Sequence, residues 1–306
     1  MNNGSKVINC IHKELGNNLN IAFLPYKVSM WDCMESVYQS AKVSDNPIII
    51  PIPYATLDKD GKAKENHYEV NYPHPIQEAM TYDINVAIIH NPYGNENLVT
   101  RVMSQFWASN LSKSIYTVYI PYFCMGDDIN EAQALVFSDM VIVETERQKA
   151  KYIELLKRNG VNADPHKFKV CGSPKEDMIG HYKWNKPLEW SDKANGRKIC
   201  LLNTSLVPFI NAPKSEILTI HHIFEEYRDN PEWCLLWRPH PLLKDTVSAM
   251  IPQYEEALNV LYEEFDGILD ETDDFHRAIA YSDKCISDAS SLVHLYKLTG
   301  KELKLI

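Results

Sequence analysis

The 306-residue sequence lacks long apolar runs, a signal peptide and low-complexity tracts. No apolar segment approaches the roughly 18 to 20 residues that a membrane-spanning helix needs, and residues 1–13 have no apolar centre of the kind that directs secretion. The remaining composition is average for a globular chain, with 45% hydrophobic and 24% charged residues. We therefore expect a folded, soluble protein of the cytoplasm.

Positive charge is scarce in this sequence. There are 31 lysines and arginines against 41 aspartates and glutamates, so the formal net charge is −10. Such a surface repels nucleic acids and anionic lipids at long range, and no basic amphipathic helix of the kind that lies on lipid is present. We expect no nucleic-acid partner, and peripheral association with the inner face of the cell membrane would need a partner or a missing segment.

The cysteines form no pattern typical of a metal site or of a disulfide framework. They are odd in number, include no CxxC pair and mostly lie within apolar segments. We interpret them as small buried apolar residues and expect neither a metal nor a cofactor. The seven are Cys10, Cys33, Cys124, Cys171, Cys200, Cys234 and Cys285.

The length favours two domains of ordinary size. In the first half, short apolar strands alternate with amphipathic helices, which is typical of a parallel sheet covered on both faces. A segment around a turn sequence, residues 54–75, leaves the sheet and is expected to form a hairpin. The predicted strands are residues 20–24, 47–51, 85–89, 114–120, 139–143 and 167–171, and the predicted helices are residues 31–41, 97–111 and 146–158.

The alternation restarts after residues 183–196, where we predict the interdomain linker. We therefore predict an α/β protein with two Rossmann-like parallel-sheet domains, residues 1–185 and 186–306, facing across a cleft. Because the chain ends on a strand, we expect the second domain to be truncated. Its predicted strands are residues 198–202, 233–237, 267–269, 284–286 and 303–306, and its predicted helices are residues 215–227, 244–263, 273–280 and 292–298.

Ligands of open parallel sheets bind at the carboxyl ends of the strands, and the first candidate site follows residues 233–237. In residues 238–241 (RPHP), two prolines stiffen the backbone around Arg238 and His240. A guanidinium can bind a phosphate through paired hydrogen bonds, and a histidine can donate to an oxyanion. Alternatively, residues 238–241 form a rigid turn whose arginine pairs with an acidic neighbour.

The second candidate site follows residues 284–286, where residues 287–291 (SDASS) begin a predicted helix. Hydroxyl groups and free backbone amides at a helix start can bind a phosphate or pyrophosphate. In the alternative, Asp288 or Ser290 only caps the helix. Two such loops after consecutive core strands suit a nucleoside diphosphate.

Residues 237–241 (WRPHP) and 286–292 (ISDASSL) together resemble the CDP-glycerol glycerophosphotransferase family, the teichoic-acid polymerases and primases, which have the GT-B fold. The resemblance implies transfer of glycerol phosphate, or a related alditol phosphate, from a CDP-activated donor to a hydroxyl acceptor during cell-wall or surface polymer synthesis. Two alternative interpretations remain. The chain is a glycosyltransferase that uses a UDP- or CMP-sugar, or it is a nucleotide-binding module without catalysis. The resemblance implies donor contacts by Arg238, His240, Asn203, Thr204, Ser205, Asp288, Ser290 and Ser291.

The sequence departs from that family at two positions. The His-Gly pair that supplies the family's base is replaced by residues 121–123 (PYF), and Leu295 stands where the family has an aspartate. We expect His90, which directly follows residues 85–89, to serve as the base. His240 is the second catalytic candidate. In the alternative, His90 bonds to local backbone. The expected acceptor-side residues are Asn91, Tyr93 and Tyr122.

Overall fold

The computed structural model describes residues 1–58, 60–77, 83–95, 100–123, 133–162, 164–179, 186–272 and 274–306, apart from the side chain of Ser291. The chain divides into two compact units, Met1–Met178 and Ile179–Ile306. Each unit is built on a parallel sheet that carries helices. The predicted α/β class with two parallel sheets is therefore confirmed.

The sheet of the first unit has six strands, all paired in parallel, in the order β2-β1-β4-β6-β7-β8. All four residues of each of two central strands are buried, as expected for a sheet covered on both faces. The strands are β1 (Asn20–Leu24), β2 (Asn46–Ile49), β4 (Val86–Ile89), β6 (Tyr116–Tyr119), β7 (Met140–Val143) and β8 (Phe168–Val170).

The first unit begins with a helix that the sequence pattern did not indicate, α1 (Asn3–Leu15). Its polar start concealed an apolar face, on which Val7 and Ile11 are fully buried. The other helices described in this unit are α2 (Asp32–Ala41), α3 (Ala108–Leu111), α4 (Gln133–Phe137) and α5 (Glu146–Arg158).

The predicted helix at residues 97–111 is wrong over much of its length. Residues 96–99 lie outside the described part, and the next three form strand β5 (Thr100–Val102), which pairs antiparallel with β3 (Tyr54–Thr56). Thr100 and Val102 are β-branched and buried while Arg101 between them is partly exposed, an alternation that suits a strand. The expected hairpin is present, because bridges join Leu57 to Ala63 and Tyr54 to His67.

The sheet of the second unit has five parallel strands in the order β11-β10-β9-β12-β13. The strands are β9 (Lys198–Thr204), β10 (Trp233–Pro239), β11 (Ile268–Leu269), β12 (Lys284–Ser287) and β13 (Glu302–Leu305). The helices described in this unit are α6 (Leu188–Ala194), α7 (Leu206–Asn211), α8 (Pro213–Tyr227), α9 (Leu243–Met250), α10 (Glu255–Glu264), α11 (Phe275–Tyr281) and α12 (Ser291–Lys297).

Two predictions for the second unit need correction. Residues 186–196 of the predicted linker carry helix α6, which belongs to the unit because Trp190 and Ala194 are buried at 3% and 2% exposure. The predicted single helix at residues 244–263 is divided into α9 and α10. Pro252 separates them, since proline lacks the amide hydrogen that would continue the first helix. Among the described residues, no helix is long and apolar enough to cross a membrane.

Candidate functional site

The order of the second sheet places β9 at a reversal of chain direction through the sheet. From β9 the chain proceeds through β10 and β11 on one side, and then places β12 and β13 on the other side. Ligands of such sheets bind outside the carboxyl ends of the two strands at the reversal. Here those two strands are β9 and β12. Six of the predicted donor residues lie at or directly after their carboxyl ends, whereas Arg238 and His240 lie at the carboxyl end of β10.

Side chains after β9 and β12 are joined by direct hydrogen bonds. The Asn203 amide Nδ2 donates to Ser287 Oγ at 2.9 Å and to Ser290 Oγ at 3.1 Å. The Ser205 backbone N–H donates to Asp288 Oδ2 at 2.5 Å. The structure therefore brings together four of the predicted donor residues, and it adds Ser287, which the predicted site did not include. We call Asn203, Ser205, Ser287, Asp288 and Ser290 the switch-point cluster.

The switch-point cluster also contains polar atoms that the described part of the chain leaves without a hydrogen-bond partner. These are Ser205 Oγ and Asp288 Oδ1. Beside the cluster, Oε1 of Glu216 in the first turn of α8 also lacks a partner in the described part of the chain, and Glu216 interacts electrostatically with Asp288. Burial raises the pKa of Glu216 to about 7, and the charge of Asp288 adds to the effect. Burial also raises the pKa of Asp288, while the amide and the side chain of Ser205 and the charge of His240 oppose the shift. Buried polar atoms without partners are costly, so this cluster is suited to a polar ligand.

Arg238 lies at the carboxyl end of β10, but its guanidinium is engaged inside the unit. Nη1 pairs with Asp270 Oδ2 at 2.6 Å, and Nη2 donates to the Thr272 carbonyl at 2.7 Å. The Asp270 side chain is fully buried and also binds Arg277 at 3.2 Å. These contacts match the alternative in which Arg238 pairs with an acidic neighbour, so a phosphate contact by Arg238 stays a prediction.

His240 follows β10 and interacts electrostatically with Asp288 of the switch-point cluster. Its Nδ1 accepts a hydrogen bond from the Leu242 N–H at 3.1 Å, which leaves Nε2 to carry the proton of the neutral ring. Burial lowers the pKa of His240, the Arg238 charge lowers it further, and Asp288 opposes both. His240 therefore presents a neutral N–H donor beside the cluster.

Two other predicted donor residues have different surroundings. The Thr204 hydroxyl accepts a hydrogen bond from Trp237 Nε1 at 3.2 Å and is buried, so it ties β9 to β10. The side chain of Ser291 lies outside the described part of the chain. Leu295 is 2% exposed and packs where the resembling family would have a carboxylate.

In the first unit, His90 directly follows β4 and is fully buried. Its Nε2 accepts a hydrogen bond from the Tyr26 N–H at 3.1 Å, and its ring stacks on Tyr26 with centroids 4.8 Å apart. Burial lowers the pKa of His90 to about 3. Because the basic nitrogen is occupied, these contacts favour the alternative of local backbone bonding, and a base role for His90 stays a prediction.

The expected acceptor-side residues surround His90. Asn91 closes a turn, since its Nδ2 donates to the Tyr93 carbonyl at 3.0 Å. Tyr93 is hydrogen-bonded to Tyr122, and burial raises the pKa of the Tyr122 hydroxyl. The Tyr122 ring meets His90 edge-on at 6.3 Å. The structure thus places all four residues together at the carboxyl edge of the first sheet.

That edge also holds an ion pair that sequence reasoning missed. Lys175 Nζ lies 3.0 Å from Asp32 Oδ2, and both side chains are largely buried. The charges of this pair act on His90 in opposite directions, Asp32 raising and Lys175 lowering its pKa. Asp32 begins helix α2, and its 8% exposure shows that it is not a solvated charge of the kind common at helix starts. No group of three or more metal-ligating side chains occurs among the described residues.

No model of a known protein family matches this chain, and no curated protein matches it. Solved structures do. UDP-GlcNAc 2-epimerase from Methanocaldococcus jannaschii, in complex with UDP-GlcNAc and UDP, superposes with a TM-score of 0.54 at 11% identity, covering 94% of this chain and 83% of that one. S. aureus MnaA with UDP gives a TM-score of 0.54 at 11% identity, covering 94% and 78%.

The wall teichoic acid polymerase TagF matches with a TM-score of 0.47 at 12% identity, covering 98% of this chain and 73% of that one, a similarity too low to support an argument. At identities of 11%, the likeness to the UDP-binding structures concerns the fold alone. Together with the two parallel sheets, it establishes that this chain has the GT-B fold.

Proposed function

We propose that this chain is an enzyme that binds a nucleoside diphosphate-sugar at the carboxyl edge of its second sheet. The observation that carries the proposal is the switch-point cluster, in which Asn203 and Ser205 are hydrogen-bonded to the loop after β12. Two solved structures of the same fold are complexes with UDP, which supports a uridine nucleotide as the first candidate.

The chemistry of the cluster suits the two kinds of polar group in such a ligand. The hydroxyls of Ser205 and Ser290 and the N–H of His240 are donors suited to phosphate oxygens. Asp288 and Glu216 are acceptors suited to the hydroxyls of a ribose or sugar, which a purely anionic ligand would not satisfy. A ligand with both phosphates and hydroxyls fits this combination better than inorganic phosphate does.

A second candidate donor is a CDP-activated alditol such as CDP-glycerol. Residues 237–241 and 286–292, which carry the resemblance to glycerophosphotransferases, lie in and beside the switch-point cluster. For either donor, the acceptor is a hydroxyl compound, and contact with a membrane-bound acceptor through a partner remains part of the proposal. The division into residues 1–185 and 186–306 likewise stays a proposal.

The test is a calorimetric titration of the full chain with UDP, UDP-GlcNAc, CDP and CDP-glycerol. We expect UDP and UDP-GlcNAc to bind. Binding of CDP and CDP-glycerol in their place would favour the second candidate. If none of the four bound, the proposal would be overturned. Incubation with the bound donor then separates reactions by product, because transfer needs an acceptor and isomerisation does not. Binding without any product would favour the non-catalytic module.

Ser205→Ala is the informative variant, because Ser205 Oγ meets the geometry of a hydrogen bond with no partner in the described part of the chain and interacts only with the neighbouring Asp288. Loss of the Ser205 hydroxyl should leave the free energy of unfolding nearly unchanged. It should weaken donor binding about tenfold or more, as expected when a hydrogen bond to a charged group is lost. Ser191→Ala, on an exposed position of α6, is the matched control. Equal affinities of the two variants would count against the assigned site.

A further inference from the structure

Two cysteines of the first unit lie side by side although they are 161 positions apart in the sequence. Cys10 is on α1 and Cys171 directly follows β8, and their Sγ atoms are 3.8 Å apart. A disulfide requires a sulfur separation of about 2.05 Å. The thiols therefore need to approach by about 1.8 Å, a distance within reach of side-chain rotation and small backbone shifts.

Contacts on both sides of Cys10 hold α1 against the end of β8. Toward the start of the helix, Asn3 Nδ2 donates to the Ser173 carbonyl at 2.9 Å and the Gly4 N–H donates to Asp177 at 2.8 Å. Toward its end, Lys169 pairs with Glu14 at 2.7 Å. The proximity of the two thiols is thus fixed by the packing of the unit and does not depend on the cysteines alone.

Cys10 differs from the other cysteines in exposure. The expectation that all seven are buried is wrong for Cys10, which is partly exposed, while Cys124 lies outside the described residues. The cysteines that are buried, as expected, are Cys33, Cys171, Cys200, Cys234 and Cys285. A dissolved reagent can therefore reach Cys10 before it reaches Cys171.

The surroundings of Cys10 also favour its reactive form. The hydrogen bond from the Cys171 thiol, helped by the charges of Lys169 and Lys13, lowers the pKa of Cys10 to about 6 against the opposing effects of burial and Glu14. The thiolate is the nucleophile in disulfide exchange. Cys10 is therefore suited to the first attack. The hydrogen bond to Cys10 and burial raise the pKa of Cys171, so Cys171 stays a thiol until Cys10 has reacted, when the hydrogen bond and the charge of the Cys10 thiolate no longer oppose its ionisation.

We propose that Cys10 and Cys171 form a reversible thiol–disulfide modification site that reacts with a low-molecular-weight disulfide, RSSR. The Cys10 thiolate attacks one sulfur of RSSR, forming a mixed disulfide and releasing RS⁻. Cys171 then loses its proton to solvent and attacks the Cys10 sulfur, releasing a second RS⁻. The protein is oxidised by two electrons, RSSR is reduced to two thiols, and a small dithiol reverses the reaction.

The test is to treat the full chain with oxidised glutathione at neutral pH and to map its disulfides by peptide mass spectrometry. We expect a Cys10–Cys171 crosslink, an intact mass lower by two hydrogens, and reversal by dithiothreitol. A stable glutathione adduct on Cys10, a crosslink to another cysteine or no reaction would each overturn the proposal. These readouts need only the wild-type protein.

Variants and heating give a second, independent check. Cys10→Ser should abolish the crosslink, Cys171→Ser should retain glutathione on Cys10, and Cys33→Ser should behave as the wild type does. Because the crosslink closes a long loop, the oxidised wild type should melt several degrees higher than the reduced form. An unchanged melting temperature in a fully crosslinked sample would contradict the inference that the two sulfurs join through small shifts of the folded unit.

Discussion

At the scale of single residues, the candidate site separates into atoms engaged within the protein and atoms left for a ligand. Arg238, the strongest phosphate-binding candidate in the sequence, is held by Asp270 and Thr272. The sequence left open that Arg238 pairs with an acidic neighbour, but it could not identify Asp270 as the partner, because the two residues are 32 positions apart and meet only when β10 and β11 pair. Asn203, Ser205, Asp288 and Ser290 could be predicted, because the ends of parallel strands meet at one edge.

The buried ion pair yields a prediction for stability. Asp270→Ala removes the partner of both Arg238 and Arg277, so it should lower the free energy of unfolding by about 3–5 kcal/mol. Glu232→Ala breaks an exposed pair with Lys198 in the same unit and should change it by less than about 1 kcal/mol. Urea unfolding measures both changes. Similar effects of the two substitutions would show that the Asp270 pair does not contribute as inferred.

Glu216 gives a prediction for pH dependence. Its pKa in the folded protein is raised to about 7 from 4.5, so the folded state binds its proton more tightly than the unfolded state does. The resulting stabilisation is complete below pH 4.5 and is lost as the pH rises through 7. Between pH 5 and pH 8, the free energy of unfolding of the wild type should fall by about 1–3 kcal/mol more than that of Glu216→Gln does. Parallel pH profiles of the two proteins would show that the pKa of Glu216 is not raised by burial and by Asp288.

At the scale of elements, the strands were the most predictable part, because fully buried strands appear as short apolar runs between turn residues. The strand at Thr100–Val102 was missed, since its antiparallel partner β3 lies more than 40 positions away and only tertiary pairing selects it. Helix α1 was missed because its apolar positions are separated by polar ones. Its packing on α2 depends on Gly4, where a Cβ atom would overlap the backbone of Ser36.

Substitution at Gly4 tests that helix contact. Gly4→Ala should lower the free energy of unfolding by about 1–3 kcal/mol, although alanine favours a helix more than glycine does, because the two helices must separate. Asn9→Ala, at an exposed position of α1, is the control and should have little effect. Thermal unfolding followed by circular dichroism measures both. A stabilised Gly4→Ala protein would show that α1 and α2 are not packed as closely as described.

At the scale of the whole molecule, the repeated alternation of strand and helix predicted the two parallel-sheet units, whereas the GT-B fold was implied by the resemblance that residues 237–241 and 286–292 carry. The nature of the donor could not be derived with the same certainty, since a few motif residues carried it and one of them, Arg238, is engaged within the protein. The net charge of −10 makes long-range attraction of an anionic donor weak. Under the proposed function, donor binding therefore depends on local hydrogen bonds at the switch-point cluster.

The most direct test of that claim is a crystal structure of the full chain with UDP. We predict nucleotide density at the carboxyl ends of β9 and β12, with the diphosphate within hydrogen-bond distance of the Ser205 and Ser290 hydroxyls. Density for UDP at any other part of the surface, or an empty switch-point cluster in crystals grown at saturating UDP, would contradict the account.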